Sequence, residues 1–243
     1  MKEGIGHQFQ TETKYQREPY SPGAVEGQQK REKLKEKLVD KSWPLPPPDR
    51  EDGWPLFKAI NSRRSVREFR KKPVSLAALS QILWAAQGIT LKAGDFSLRT
   101  APSAGALYPI DIYVCVQAVE SLNPGLYHFL PAAQTLRMRY EGDFSQLLAD
   151  AALNQDFLAE ASLVLVLTAV FERTTWKYGA RGFRYLYLDA GHIAQNAALA
   201  AVSLGLGSCP VAAFFDDEIN ALLGVNPARE SAVYLLAVGW PRK

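Results

Sequence analysis

From Trp54 onward the chain carries two hydrophobic rhythms, one recurring every three to four residues and one that alternates or runs unbroken. The stretch Leu56–Ser62 reads as a short helix with Leu56, Ala59 and Ile60 on one face. Ser75 is placed to cap a helix carrying Leu76, Leu79, Ile82, Leu83 and Ala86, and Gly88 is its natural stop. Ile110, Ile112, Val114 and Val116 alternate as strand residues do, and GLYHF and TLRMRY on either side of PAAQ predict a β-hairpin. A helix is expected over Phe144–Ala161, with an interruption near Asn154. The run LVLVLTAV at Leu163–Val170 is short and wholly apolar, as a strand covered on both faces would be. A long helix is expected from about Leu188 to Leu204, where Ala190, Ile193, Ala194, Ala197, Ala198, Ala201 and Val202 recur at helical spacing. So many alanines let a second helix approach closely, and Gly205 ends the element. AVYLLAVG at Ala232–Gly239 reads as a last buried strand. Because strands and helices mix without strict βαβ alternation, the fold class is α+β.

The first part of the chain has a different character. Residues 1–53 predict an arm or extension, and residues 54–243 the compact domain. Within the arm, QQKREKLKEKLVDKSW predicts a short exposed helix, and PLPPPDR then forces an extended path. Its aromatics Phe9, Tyr15, Tyr20 and Trp43 point to an arm that lies along the body, or across a dimer onto a partner's flank.

Composition narrows the function classes. The 243 residues are 47% hydrophobic with a net charge of +3, which gives no basic stripe for nucleic acid. The two cysteines, Cys115 and Cys209, are far apart and form no CxxC, and His7, His128 and His192 have no metal-ligand spacing. The N-terminus lacks the apolar core of a signal peptide, and no apolar run approaches the roughly 20 residues of a membrane helix. The expected setting is a reducing cytoplasm with no metal and no membrane.

Four segments could carry chemistry. In NSRRSVREF, Arg63, Arg64 and Arg67 surround Ser65, a donor set that matches phosphate oxygens, although a solvated basic turn has the same composition. In RTAPSAGALYP, the small residues Ser103, Ala104 and Gly105 let backbone approach a flat ligand; an ordinary connection is the alternative. No GxGxxG follows a strand, so a Rossmann dinucleotide site is unsupported. Lys177 beside Tyr178 offers two groups that desolvation could tune toward base work, yet such a dipeptide is also an ordinary exposed pair. At the C-terminus, Arg242 and Lys243 follow a buried strand, and they matter only if a phosphate lies close by.

Taken in order, GHQFQTETKY, PLPPPDR, RRSVREF, LSQILWAAQGIT, PSAGALYPIDIYV, PGLYHFLP, WKYGARGFRYLYLDAGHIAQNAALAA and GLGSCPVAAF make nearly the whole chain resemble the SagB-type dehydrogenase branch of the FMN-dependent nitroreductase family. The resemblance implies a mixed β-sheet sandwiched by helices, working as a homodimer with FMN sites at the subunit interface. It implies that Arg63, Arg64, Ser65 and Arg67 hold the FMN phosphate, joined by Arg242 and Lys243. It further implies that Ser103, Ala104 and Gly105 meet the flavin from the partner subunit, and that Pro210, Val211, Ala212 and Ala213 pass its reactive edge. Where many nitroreductases carry Glu-Gly, this chain has Ala212-Ala213. Relatives in this branch oxidise azoline rings in peptides, and Lys177 and Tyr178 match the pair that removes the ring proton there. The implied activity is hydride transfer between FMN and a small organic or peptide-derived substrate. The alternatives are an NAD(P)H-dependent reductase of nitro-compounds or quinones, and a flavin-binding partner subunit without catalysis of its own.

Overall fold

In the apolar run Leu163–Val170, alternate side chains feed two different cores. Leu163, Leu165, Leu167 and Ala169 pack into one hydrophobic cluster, and Val164 and Val166 into a second. A strand with both faces covered needs apolar residues at every position, which explains the unbroken run. The computed structural model describes residues 4–17, 41–94 and 96–242; the charged block expected to be helical lies outside them except for its last three residues, of which Ser42 and Trp43 are strand, and Tyr20 and Lys243 also lie outside them.

The strands, in chain order, are β1 (Ser42–Pro44), β2 (Phe69–Arg70), β3 (Ile89–Ala93), β4 (Phe96–Arg99), β5 (Ile110–Val116), β6 (Gly125–Leu130), β7 (Thr135–Glu141), β8 (Leu163–Val170), β9 (Gly207–Val211) and β10 (Glu230–Pro241). They form one eight-stranded sheet in the order β1-β7-β6-β5-β8-β10-β2, with β9 also paired to β10, and β3-β4 stands apart as a separate hairpin. Every ladder between strands is antiparallel, and parallel pairing enters through the bridges Ser65–Ser208 and Val74–Val119.

The helices are α1 (Ile5–Glu12), α2 (Leu56–Ser62), α3 (Leu76–Gln87), α4 (Ser145–Ala151), α5 (Phe157–Glu160), α6 (Glu172–Tyr178), α7 (Gly182–Ser203) and α8 (Asp216–Leu223). α3 and α7 cover one sheet face through residues such as Leu79, Ile82, Leu83, Leu186, Ile193 and Ala197. α4, α5 and α8 cover the other through Leu147, Leu148, Leu158, Ile219 and Leu222. The result is the expected α+β sandwich of helices around a sheet.

The structure bears out two local expectations, the Ser75 cap and the break near Asn154, and adjusts two others. The Ser75 hydroxyl does cap α3, accepting the Ala78 N–H at 3.1 Å. The helix expected over 144–161 is broken into α4 and α5, because Leu153 and Asn154 both take positive φ (59° and 57°). The long helix begins at Gly182 rather than near Leu188; its aromatic first turns hid it from a pattern search. α2 occupies the expected residues, but only Ala59 of its apolar face is buried, while Leu56 and Ile60 are exposed.

The described parts of the arm pack on their own chain. β1 extends the sheet along β7. In α1, the His7 ring meets Phe183 edge-on at 4.8 Å, and Gln10 accepts the Tyr187 hydroxyl while reaching Ser231. Lys14 and Arg17 then pair with Asp217 and Glu218 in the first turn of α8, where carboxylates also suit the helix dipole. No helix among the described residues is long and apolar enough to cross a membrane.

Candidate active site

Antiparallel pairing places the start of one strand beside the end of its neighbour. Ile110 and Asp111 at the start of β5 pair with Ala169 and Thr168 at the end of β8, and Val170 N–H donates to Pro109 C=O at 2.9 Å. The loop that enters β5 and the helix that leaves β8 therefore meet at one end of the sheet. That loop holds Ser103, Ala104 and Gly105, and that helix is α6, with Lys177 and Tyr178 in its last turn.

The two segments touch at Gly105. A methyl carbon added there would lie 2.7 Å from Tyr178 Oη and 2.9 Å from Lys177 Nζ. Both polar tips thus close on the one loop residue that has no side chain. Gly105 has φ 63°, and Ala106 and Tyr108 follow with 54° and 47°. Left-handed backbone at Ala and Tyr is strained, and such strain gathers at functional loops. Tyr178 is half-buried, with its ring edge-on to Tyr185 at 5.0 Å, and Lys177 is exposed in the single chain. Arg181 lies over the Tyr185 ring at 5.8 Å.

A residue not singled out from the sequence holds this loop. Asp189 on α7 is buried and accepts the Ser103 hydroxyl at 2.6 Å, with the Ala104 N–H also directed at it. Ser103 Oγ in turn accepts the Tyr108 N–H at 2.9 Å. The Ser103 hydroxyl is therefore committed to α7 and to its own loop, which leaves backbone and the bare Gly105 surface to meet a ligand. Burial pushes the Asp189 carboxyl up, against the opposing effect of the Ser103 hydrogen bond. The signal in the sequence was an acid inside the apolar face of a long helix. His192, one turn on, is exposed.

The basic segment lies elsewhere in the chain. Val66 N–H donates to Ser208 C=O at 2.9 Å, which fixes the 63–67 stretch along β9. Arg63, Arg64, Val66, Gly207 and Ser208 line a hollow of about 270 Å³. Among the described residues no carboxylate pairs with Arg63, Arg64 or Arg67. Arg242 joins this corner, its N–H donating to Glu68 C=O at 2.9 Å. Arg63 and Arg64 line this hollow, while Ser65 and Arg67 lie toward Cys209 on β9; guanidinium groups without carboxylate partners suit an anion such as phosphate. Gly207 is required here, since a Cβ on it would come within 2.9 Å of Val66. Val211 is buried at the end of β9, with Pro210 and Ala213 half-buried and Ala212 exposed, and the Gln155 amide donates to Ala213 C=O at 2.9 Å.

The two groups do not meet within one chain. Asp189, which holds the Ser103 loop, and Val202, which lines the basic hollow, are separated by about 20 Å along α7 at 1.5 Å per residue.

The profile of the nitroreductase family matches residues 60–240. The chain belongs to the nitroreductase family. It is an oxidoreductase of that family, whose members generally use FMN. It is 45% identical over 184 residues, 76% of this chain and 90% of the relative, to MJ1384 of Methanocaldococcus jannaschii, which bears the nitroreductase name. It is 30% identical over 133 residues to the microcin B17-processing protein McbC of Escherichia coli, covering 53% of this chain and 49% of McbC. Among solved structures, a nitroreductase-named protein from Ralstonia eutropha superimposes with TM-score 0.73 at 29% identity, covering 85% of this chain and 94% of that one. The McbBCD microcin synthetase complex from E. coli matches 98% of this chain and 92% of that one, at TM-score 0.68 and 21% identity, a likeness of fold.

Proposed function

We propose that this chain is an FMN-dependent dehydrogenase of the SagB type, which oxidises azoline rings in a peptide or a small peptide-derived molecule. The observation that carries this reading is the closure of Tyr178 Oη and Lys177 Nζ on Gly105. The names of McbC and of the trifolitoxin-processing protein TfxB, 29% identical over 159 residues and 40% of its length, support a peptide substrate.

In this reading Arg63, Arg64, Ser65 and Arg67, with Arg242 and Lys243, hold the FMN phosphate of one subunit. The partner copy brings its Ser103–Gly105 loop to the ring, since one chain keeps the two groups apart. Pro210–Ala213 runs past the ring edge, where Ala212 and Ala213 leave only backbone to bond it. FMN supplies the two-electron acceptor for a hydride. The chain's own groups supply proton removal: Tyr178 and Lys177 take the Cα proton of the azoline, while the Cβ hydrogen leaves with its electron pair and the ring C=C forms. A second copy would also exclude water from Lys177, which base work at neutral pH requires.

The name of MJ1384 favours a second reading, an NAD(P)H-dependent reductase of nitro-compounds or quinones. One pair of assays separates the two. Purified holoprotein in air should convert a thiazoline-containing peptide to the thiazole, seen as the loss of two hydrogens by mass. Turnover of NADPH with a nitroaromatic, and none of the thiazoline, would replace this reading with the second. A yellow protein that turns over neither would be a flavin-binding subunit. Replacing Arg63 and Arg67 together by Gln should weaken FMN retention by about 100-fold or more, since each charge-assisted bond is worth roughly 1.5–3 kcal/mol. Unchanged FMN affinity in that variant would move the phosphate site elsewhere.

A further inference from the structure

We propose that Asp111 and Arg173 form a positioning pair that sets where Lys177 and Tyr178 stand over Gly105. The pair makes a fork, with Arg173 Nη1 at 2.6 Å from Asp111 Oδ1 and Nη2 at 3.0 Å from Oδ2. Two parallel bonds fix orientation as well as distance, which a single contact does not.

α6 depends on such a tether. It has seven residues, too few to be stable alone, and its N-cap Phe171 makes no side-chain cap. Gly179, with φ 54°, ends it at once. Its apolar hold is confined to its first turn, where Phe171 is buried against Phe183 and Thr174 is buried, and its ion pair Glu172–Arg229 is about 70% exposed on both sides and so worth little. The fork is thus the main polar link between this helix and the sheet.

Its placement gives it leverage. Asp111 is the second residue of β5, two after Pro109 and six after Gly105, so it moves with the loop. Arg173 lies one turn before Lys177 on the same helix face, because residues four apart share a face. One end of the fork is fixed to the strand that carries Gly105, and the other to the helix that carries the pair closing on it. Arg99 stays within electrostatic reach of Asp111 if Arg173 is lost, whereas His128, with Nε2 3.7 Å away, has its proton affinity lowered by burial and supplies no steady charge. The fold should therefore survive the change.

The proposal rests on the Lys177–Tyr178 reading, and the test keeps the two apart. The probe is the thiazoline peptide, with full-length flavin-loaded R173A, R173K, R173M and D111N. R173A, R173M and D111N should lose about 10–100-fold in kcat, the range that small misplacement of reacting groups produces, with KM and FMN content unchanged. R173K should recover part of the loss. Added guanidinium ion should recover none in R173A, since it can neutralise Asp111 but cannot join it to α6. Amide hydrogen exchange of residues 172–181 should rise in R173A and D111N, with residues 163–170 unchanged. Wild-type kcat in both R173A and D111N, rescue by free guanidinium, or unaltered exchange would each overturn the positioning role. If wild-type protein oxidises no thiazoline, the azoline reading fails, and the exchange experiment alone then decides the fork.

Discussion

At the scale of single residues, Gly105 is the constrained position that bears on the candidate site. Its φ of 63° and the two polar tips closing on it combine backbone and steric limits at one atom. Replacing it with Ala should cost about 1 kcal/mol of backbone strain. The larger effect should be on chemistry, because the new methyl must push Tyr178 Oη and Lys177 Nζ aside. A fall in kcat of at least about 10-fold, with a melting point within a few degrees of wild type, is the expected result. Equal turnover in G105A would show that the three residues do not share a reaction centre. Asp189 acts on the same loop from below. Its buried carboxylate takes the Ser103 hydroxyl, so its loss would release the strained run through Ala106 and Tyr108.

Elements bear their own electrostatics, and α8 shows it. Asp216 opens this helix half-buried, and burial raises its carboxyl to about 6 from the ordinary 3.8, with Lys14 partly opposing the rise. A proton held more tightly in the folded state than in the unfolded chain means stability grows as pH falls from about 6 toward 3.8, and is lost as pH rises through 6. D216N removes the charged form. It should raise the melting temperature at pH 7.5 by about 2–4 °C, taking roughly 1 kcal/mol after allowance for solvent screening. The gain should vanish by pH 4, and a pH-independent gain would point to packing instead.

Much of this architecture could be read along the chain. The boundaries of β5, β8 and α2 and the Ser75 cap follow from period and cap chemistry alone, because each is decided by neighbours within a few residues. The start of α7 was not legible, since FRYLYL places aromatics on both sides of the helix and gives no clean stripe. The candidate residues Lys177 and Gly105 were visible, but their meeting was not. It depends on the β5–β8 register, which no local pattern encodes. Asp189 and the Asp111–Arg173 fork stayed hidden for the same reason: each partner lies at least 60 residues away.

For the molecule as a whole, the unburied apolar surface is informative. Leu56, Phe57 and Ile60 on α2 are 61%, 83% and 48% exposed, and Trp54 precedes them. The exposed β3–β4 hairpin adds Leu91, Phe96 and Leu98. Exposed apolar residues of this kind are what a protein–protein interface would cover. A symmetric second copy would cover it and complete the divided site. Changing Leu56 and Phe57 together to Glu should yield a monomer by light scattering and lower FMN retention in parallel. A monomer that still holds FMN as tightly would separate the apolar face from the cofactor site.

The meeting of loop and helix at one end of β5 and β8 also bears on how substrate choice could change. The two jaws around Gly105 come from stretches some seventy positions apart, yet both hang from the same pair of hydrogen-bonded strands. Either jaw can be lengthened, shortened or recomposed without shifting the frame behind it. A library confined to residues 171–181, with Arg173 retained, would therefore sample new substrates on an unaltered chassis.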